Sequence, residues 1–145
     1  MKKLVREILD DISNLESFGR IQMIIDIPDE LNILSDETRL RIILNNLLTN
    51  AVKFQRFDTE LEPFVLVRYR SIDDKHEITV RDNGQGISDE LQHKIFDMFF
   101  RASVTADGSG LGLYILKQTL AKLNGEVRLV SEVGMGSGFT ITIPK

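Results

Sequence analysis

The chain has 145 residues, 42% hydrophobic and 28% charged, proportions that suit one globular domain with a core of its own. Its net charge of −4, without a basic block, argues against a nucleic-acid partner, and the lack of cysteine excludes disulfides, a cysteine-based zinc site and a cysteine nucleophile. No apolar run approaches a membrane span and no signal peptide is visible, so a cytoplasmic chain is expected, with a parent anchored in the inner membrane left open.

Residues 2–17 carry Leu4, Val5, Ile8, Leu9, Ile12 and Leu15 at helical intervals, which predicts a short amphipathic helix. No second helix of matching pattern lies nearby, so its apolar face reads as a cut end that packed on a missing partner. Gly19 marks a break. Residues 20–27, rich in Ile and partly alternating, predict a strand. Pro28, Asp29 and Glu30 predict a turn, and 31–34 a brief pairing. Ser35 is a natural N-cap, and Asp36 and Glu37 complement the dipole of a helix that runs to about residue 54.

On that helix Asn46 and Asn50 stand at i and i+4, Lys53 follows one turn on, and Arg39 lies on the same line. Leu40, Ile43, Leu44, Leu47, Leu48 and Ala51 make the opposite, buried face; Ile42 is an apolar misfit beside the polar stripe. Two asparagines at this spacing cost helix stability. The stripe reads either as a solvated face or as a metal and phosphate site. Amide oxygens are hard ligands for Mg²⁺, and a lysine meets phosphate charge.

A polar loop, 55–62, precedes strands at 63–70 and 76–81, joined by 71–75. Asp82-Asn83-Gly84-Gln85-Gly86-Ile87 then places two glycines at alternate positions after a strand. That is either a plain Asx turn or a bend that lets a flat ligand approach the backbone. Ser88 caps a short helix, 89–94, and 95–101 carries three phenylalanines that serve a core or a site. Residues 102–107 are small and polar. Gly108-Ser109-Gly110-Leu111-Gly112-Leu113 opens a helix reaching about residue 123, whose first amides can hold phosphates. The run fits neither a Walker A loop nor a dinucleotide fingerprint. Asn124-Gly125 ends the helix, and strands at 126–131 and 137–143 are joined around Gly134 and Gly136.

These weak motifs acquire meaning from their order. The chain resembles the catalytic, ATP-binding domain of bacterial sensor histidine kinases, within the Bergerat-fold group that includes DNA gyrase, mismatch-repair ATPases and heat-shock chaperones. The resemblance covers about residues 20–145. The N box matches 46–54, the first glycine box 82–87, the aromatic box 95–101, the second glycine box 108–113 and the closing glycine-rich turn 134–139. The fold it implies is α+β, a two-layer α/β sandwich with a mixed, mainly antiparallel sheet and helices on one face. The order of predicted elements is consistent with such a domain.

The resemblance also implies roles. Asn50 ligates Mg²⁺, and Asn46 and Lys53 line the phosphate side, making these three the catalytic candidates. Asp82 accepts the exocyclic amine of adenine. Gly84, Gly86 and Ile87 pass beside the base, and Arg101 reaches toward phosphate. Residues 102–109 form a lid that is mobile until phosphates arrive, and Gly108, Ser109, Gly110, Leu111, Gly112 and Leu113 supply hinge freedom and N–H donors. ATP and Mg²⁺ are the implied cofactors. The implied partners are a histidine-bearing dimerisation domain of a homodimeric parent and a downstream response regulator, this chain alone being monomeric.

A phosphoacceptor histidine is missing. His76 lies in a strand-like segment and His93 is followed by Lys94; neither has the helical, acid-flanked setting of an acceptor. Residues 1–18 then read as a helical remnant leading from a dimerisation domain, and 19–145 as the kinase domain. The alternatives are a hydrolytic Bergerat ATPase, an anti-sigma-factor-type serine kinase and a nucleotide-binding module without chemistry. Both of the first two place a glutamate where this chain has Asn46, and an amide takes no proton at neutral pH.

Overall fold

The computed structural model describes residues 1–101 and 108–145. In chain order they form α1 (Lys2–Asp11), a 3₁₀ turn (Phe18–Arg20), β1 (Gln22–Asp26), α2 (Glu37–Lys53), β2 (Phe64–Ile72) and β3 (Lys75–Asp82). Then come α3 (Asp89–Gln92), α4 (Gly112–Ala121), β4 (Glu126–Glu132) and β5 (Gly136–Pro144). The strands make one sheet in the order β1-β2-β3-β5-β4. Only β1 and β2 run parallel; the other three pairings are antiparallel. This is the mixed sheet of the Bergerat ATPase fold.

Strand alternation gives the sheet one wet face and one dry one. The dry face carries two register rows: Val67, Val80, Phe139 and Leu129, then Tyr69, Ile78, Ile141 and Val127. Between them lies a row with Arg68, Thr79, Thr140 and Arg128, which faces water. Helices α2 and α4 pack on each other and on the sheet. Together they bury Leu40, Ile43, Leu44, Leu47, Leu48, Leu116 and Leu120, the pattern the helical spacing predicts. Ile42 stays 38% exposed, as its place beside the polar stripe requires.

Several boundaries differ from expectation. Helix α1 stops at Asp11, and its apolar face is not left open: Leu4, Val5, Ile8 and Leu9 are buried in the common core, with α1 packed on α2. Arg41 of α2 adds a 2.5 Å ion pair to Glu7. Hydrophobic periodicity cannot see this, because the partner helix lies about thirty residues downstream. The N-cap of α2 is Asp36 rather than Ser35. Its Oδ1 accepts the amide of Arg39 at 2.9 Å, the reach of a cap to the third helical residue. Residues 31–34 form no strand; the amino group of Met1 donates to the Leu31 carbonyl instead. The β2–β3 hairpin is tighter than predicted because Asp73 adopts φ 48°, a left-handed conformation that aspartate tolerates in turns.

Candidate functional site

The C-terminal half of α2, the turn after β3, the start of α4 and the β4–β5 turn enclose a cavity of about 490 Å³. Helix α2 presents Asn46, Asn50 and Lys53 along it, the stripe that helical spacing puts on one side. The Asn46 amide nitrogen donates back to the Ile42 carbonyl at 2.9 Å. Its Oδ1 is thereby turned toward α4, where a Cβ on Gly112 would sit 2.7 Å from it. A larger residue at the start of α4 would thus displace the Asn46 amide from its place on the stripe. The opening amides of α4 have no intrahelical acceptors, and Gly112 and Leu113 line the cavity.

Across the cavity stands Asp82, the last residue of β3 and only 7% exposed. Its Oδ1 accepts the Gly84 amide at 2.9 Å, and the Ser137 amide also donates to the carboxyl group. Burial pushes its pKa from 3.8 up to about 6, against the opposing pull of those two amides and of Arg81. Val80, Ile87, Leu91, Ile95 and Phe139 form an apolar slot beside it. One buried carboxylate in an apolar slot, with amide oxygens, a lysine and a helix N-terminus at the other end, suits a ligand with a flat, amine-bearing base and an anionic tail.

The two glycines after Asp82 make room for the protein's own backbone. A Cβ on Gly84 would lie 2.2 Å from the Phe54 carbonyl oxygen, and one on Gly86 would lie 2.0 Å from that of Glu132. Gly86 also has φ +72°. The turn is thus clasped between the end of α2 and the β4–β5 turn.

A polar hub behind it escaped sequence reasoning. Ser131 Oγ accepts the Ile87 amide at 2.8 Å, lies 3.0 Å from the Gly136 carbonyl and shares a 2.8 Å bond with Ser137 Oγ. Gln92 holds the Ile87 and Ser131 carbonyls at 2.9 and 3.1 Å. The available signal was a serine continuing the inward series Val127 and Leu129, where an apolar residue was due.

Residues 35–145 match the family model described as histidine kinase-, DNA gyrase B-, and HSP90-like ATPase. The chain belongs to this family. It is 36% identical to the sensor-like histidine kinase SenX3 of Mycolicibacterium smegmatis, over 88% of this chain and 33% of that protein. It is 37% identical to the sensor histidine kinase RcsC of Escherichia coli, over 82% of this chain and 12% of that protein. The chain thus spans about a third or less of the curated relatives it matches here. Among solved structures, the mycobacterial sensor histidine kinase MprB superposes with a TM-score of 0.82 at 26% identity, covering 98% of this chain and 92% of that one. Full-length ShkA in complex with AMPPNP gives 0.83 at 32% identity, covering 99% and 29%.

In this histidine kinase-type ATPase domain, most of the motif residues converge. Asn46, Asn50, Lys53, Asp82, Gly86 and Ile87 line the cavity, as do Arg101, Gly108, Ser109, Gly110, Gly112 and Leu113. Gly84 and Leu111 do not: Gly84 lies under the Phe54 carbonyl, and Leu111 is the N-cap of α4. Sequence reasoning missed Asn45, Thr49, Gln85 and Ser137, which also line it. Of the aromatic box, Phe96 packs edge-on to Phe139 with centroids 6.4 Å apart, Phe100 lines the cavity, and Phe99 is 66% exposed. Residues 102–107 of the expected lid lie outside the described residues. Among the described residues no cluster of three acidic, histidine or cysteine side chains could hold a metal. ATP is the ligand the family implies. None of the described helices is long and apolar enough to cross a membrane.

Asp82 predicts an unusual pH dependence. With its pKa raised from 3.8 to about 6, the folded chain holds a proton that the unfolded chain has lost. Its contribution is therefore fully present below pH 4 and disappears as pH rises through about 6. The loss is on the order of 3 kcal/mol. Carboxylates such as Glu7, whose pKa is lowered chiefly by the hydrogen bond from Arg41, act in the opposite sense. Urea unfolding of wild type and Asp82→Asn between pH 4 and 7.5 isolates the Asp82 part: the gap should move in favour of the asparagine variant as pH rises. A pH-independent gap contradicts the assigned burial.

Proposed function

We propose that this chain binds Mg-ATP and acts as the catalytic half of a sensor histidine kinase, passing the γ-phosphoryl group to a histidine on a separate dimerisation domain, from which a response regulator takes it. Residues 1–18 then lead in from that domain. The observation that carries this reading is the buried Asp82 carboxylate facing a cavity whose far wall is the Asn46, Asn50 and Lys53 stripe. An adenine amine donates to the carboxylate, whereas guanine offers a carbonyl at that position. The triphosphate then reaches the start of α4 and Lys53, with Asn50 supplying an oxygen to Mg²⁺. Asn46 stands where a hydrolytic relative needs a base, and its amide nitrogen is already committed to the Ile42 carbonyl.

Calorimetry with Mg-ATP and Mg-GTP tests the site. ATP should bind at least tenfold more tightly, because guanine sets a carbonyl oxygen against the Asp82 carboxylate. Asp82→Asn should erase most of that preference. Because the amine bond favours the ionised carboxylate, the Asp82-dependent part of binding should strengthen from pH 5 to 7. Equal affinities for the two nucleotides remove Asp82 from its role.

A further inference from the structure

The polar groups around the site include one charged side chain that does not touch the cavity. Arg56 lies just beyond α2, three residues after Lys53 and 28% exposed. Its Nη1 donates to the Gly134 carbonyl at 2.9 Å, and its Nε donates to Asp58 Oδ1 at 3.2 Å. Gly134 sits in the β4–β5 turn, whose neighbour Val133 lines the cavity. Two backbone bonds complete the circuit. The Gln85 amide donates to the Phe54 carbonyl at 2.9 Å, and the Gly134 amide donates to the Gln85 carbonyl at 2.8 Å.

These bonds close a ring. It runs from the end of α2 into the glycine turn, on to the β4–β5 turn, and back through the Arg56 side chain to α2. The glycine turn lies inside the clasp, with Gly84 against Phe54 and Gly86 against Glu132. Two links of the ring are backbone amides that no side-chain change removes. The third is one guanidinium, oriented by Asp58.

We infer that Arg56 is a positioning residue for the base: by pinning Gly134 it holds Val133 and the 84–86 turn at a fixed spacing from α2, which carries the phosphate-side groups. The inference rests on the nucleotide reading of the same cavity. Its content is that the base half and the phosphate half of the site depend unequally on Arg56. The asparagine stripe lies on the regular body of α2 and needs no help from Gly134. The base side includes two turns, 84–86 and β4–β5, and turns open more easily than packed helices do.

Arg56→Met keeps the aliphatic stem and removes the donors. Calorimetry with Mg-ATP and with Mg-tripolyphosphate, which lacks the base, reads the two halves apart. Mg-ATP should bind roughly fivefold more weakly to Arg56→Met, the size of one charge-assisted bond at a partly wet site. Tripolyphosphate affinity should stay within about twofold. Arg56→Lys keeps a donor within reach of Gly134 and should recover most of the loss, which a general stability defect would not do. Asp58→Asn weakens the orienting partner and should give a smaller, equally base-specific loss; it decides the matter if Arg56→Met fails to fold. Equal losses for both ligands, or none, overturn the role of Arg56 while leaving the nucleotide site standing. A wild-type chain that binds tripolyphosphate but gains nothing from the base overturns the nucleotide reading itself.

Discussion

Incubated with radiolabelled Mg-ATP, the chain alone should take up no phosphoryl label. Adding a histidine-bearing dimerisation domain of the parent should yield acid-labile, base-stable phosphohistidine, and Asn50→Asp should abolish it, with a loss of at least about 10³-fold. The first part follows from geometry. Phosphoryl transfer needs a nucleophile held in line, near contact distance from the γ-phosphorus. His76 is the second residue of the β3 strand that Asp82 closes, so six residues of extended chain, roughly 20 Å, separate it from the base pocket. It is 9% exposed, and its Nδ1 shares a 2.9 Å bond with the Tyr69 hydroxyl. His93 is exposed on the turn after α3 and is not among the cavity-lining residues.

The Asn50 part follows from charge. An amide oxygen ligates Mg²⁺ without adding to the negative charge of a triphosphate. A carboxylate in its place binds the metal but repels the phosphate oxygens it must share the metal with, and the amide donor is lost. Label on the chain alone, at either histidine, sinks the reading. So does ATP turnover in water at a rate comparable to the transfer, because with Asn46 in place of a base only slow leakage is expected.

How much of this could be read from residues alone varies with the range of the interaction. The stripe on α2 was legible because a helix fixes which residues share a side, and the burial of Leu44, Leu47 and Leu48 opposite follows the same period. The strands were legible for the same reason, within two residues or so at their ends. Partners distant in sequence were not. The apolar face of α1 looked unpaired because its cover, α2, comes after an intervening strand. Ser131 looked like an ordinary strand residue, since nothing local says that its neighbours in space will be Ile87, Gly136 and Ser137. At Gly84 and Gly86 the glycine pattern signals a close approach, and the fold shows one that the pattern does not name: they admit the carbonyls of Phe54 and Glu132, one about thirty and the other about forty-six residues away in the chain. A glycine pattern says that something comes close; only the fold says what.

That distinction makes Gly86, like Gly136, a position where a single methyl group should do heavy damage. Gly86→Ala pays twice. A left-handed φ of +72° costs a residue with a Cβ about 1–2 kcal/mol. The Cβ would also sit 2.0 Å from the Glu132 carbonyl oxygen, and that carbonyl belongs to a strand end that cannot retreat without loosening the β4–β5 turn. Overpacking of this kind adds about 1–3 kcal/mol, so a loss of roughly 4 kcal/mol is expected. Gly134→Ala is the control. Its φ of +80° carries the same backbone cost, but the nearest atom is Arg56 Nη1 at 3.2 Å, the far end of a side chain that can shift. Gly19→Ala, with nothing within 4 Å, should be close to neutral. Thermal unfolding should therefore rank the variants Gly19→Ala, Gly134→Ala and Gly86→Ala in order of increasing loss. Gly86→Ala should fall by roughly 10 °C or more. Where the Gly86 variant still folds, its Mg-ATP affinity should drop at least tenfold, because the displaced turn carries Ile87 and adjoins Asp82 in the cavity wall. If Gly86→Ala proves no worse than Gly134→Ala, the Glu132 carbonyl yields at no cost, and the clasp around the glycine turn is not rigid.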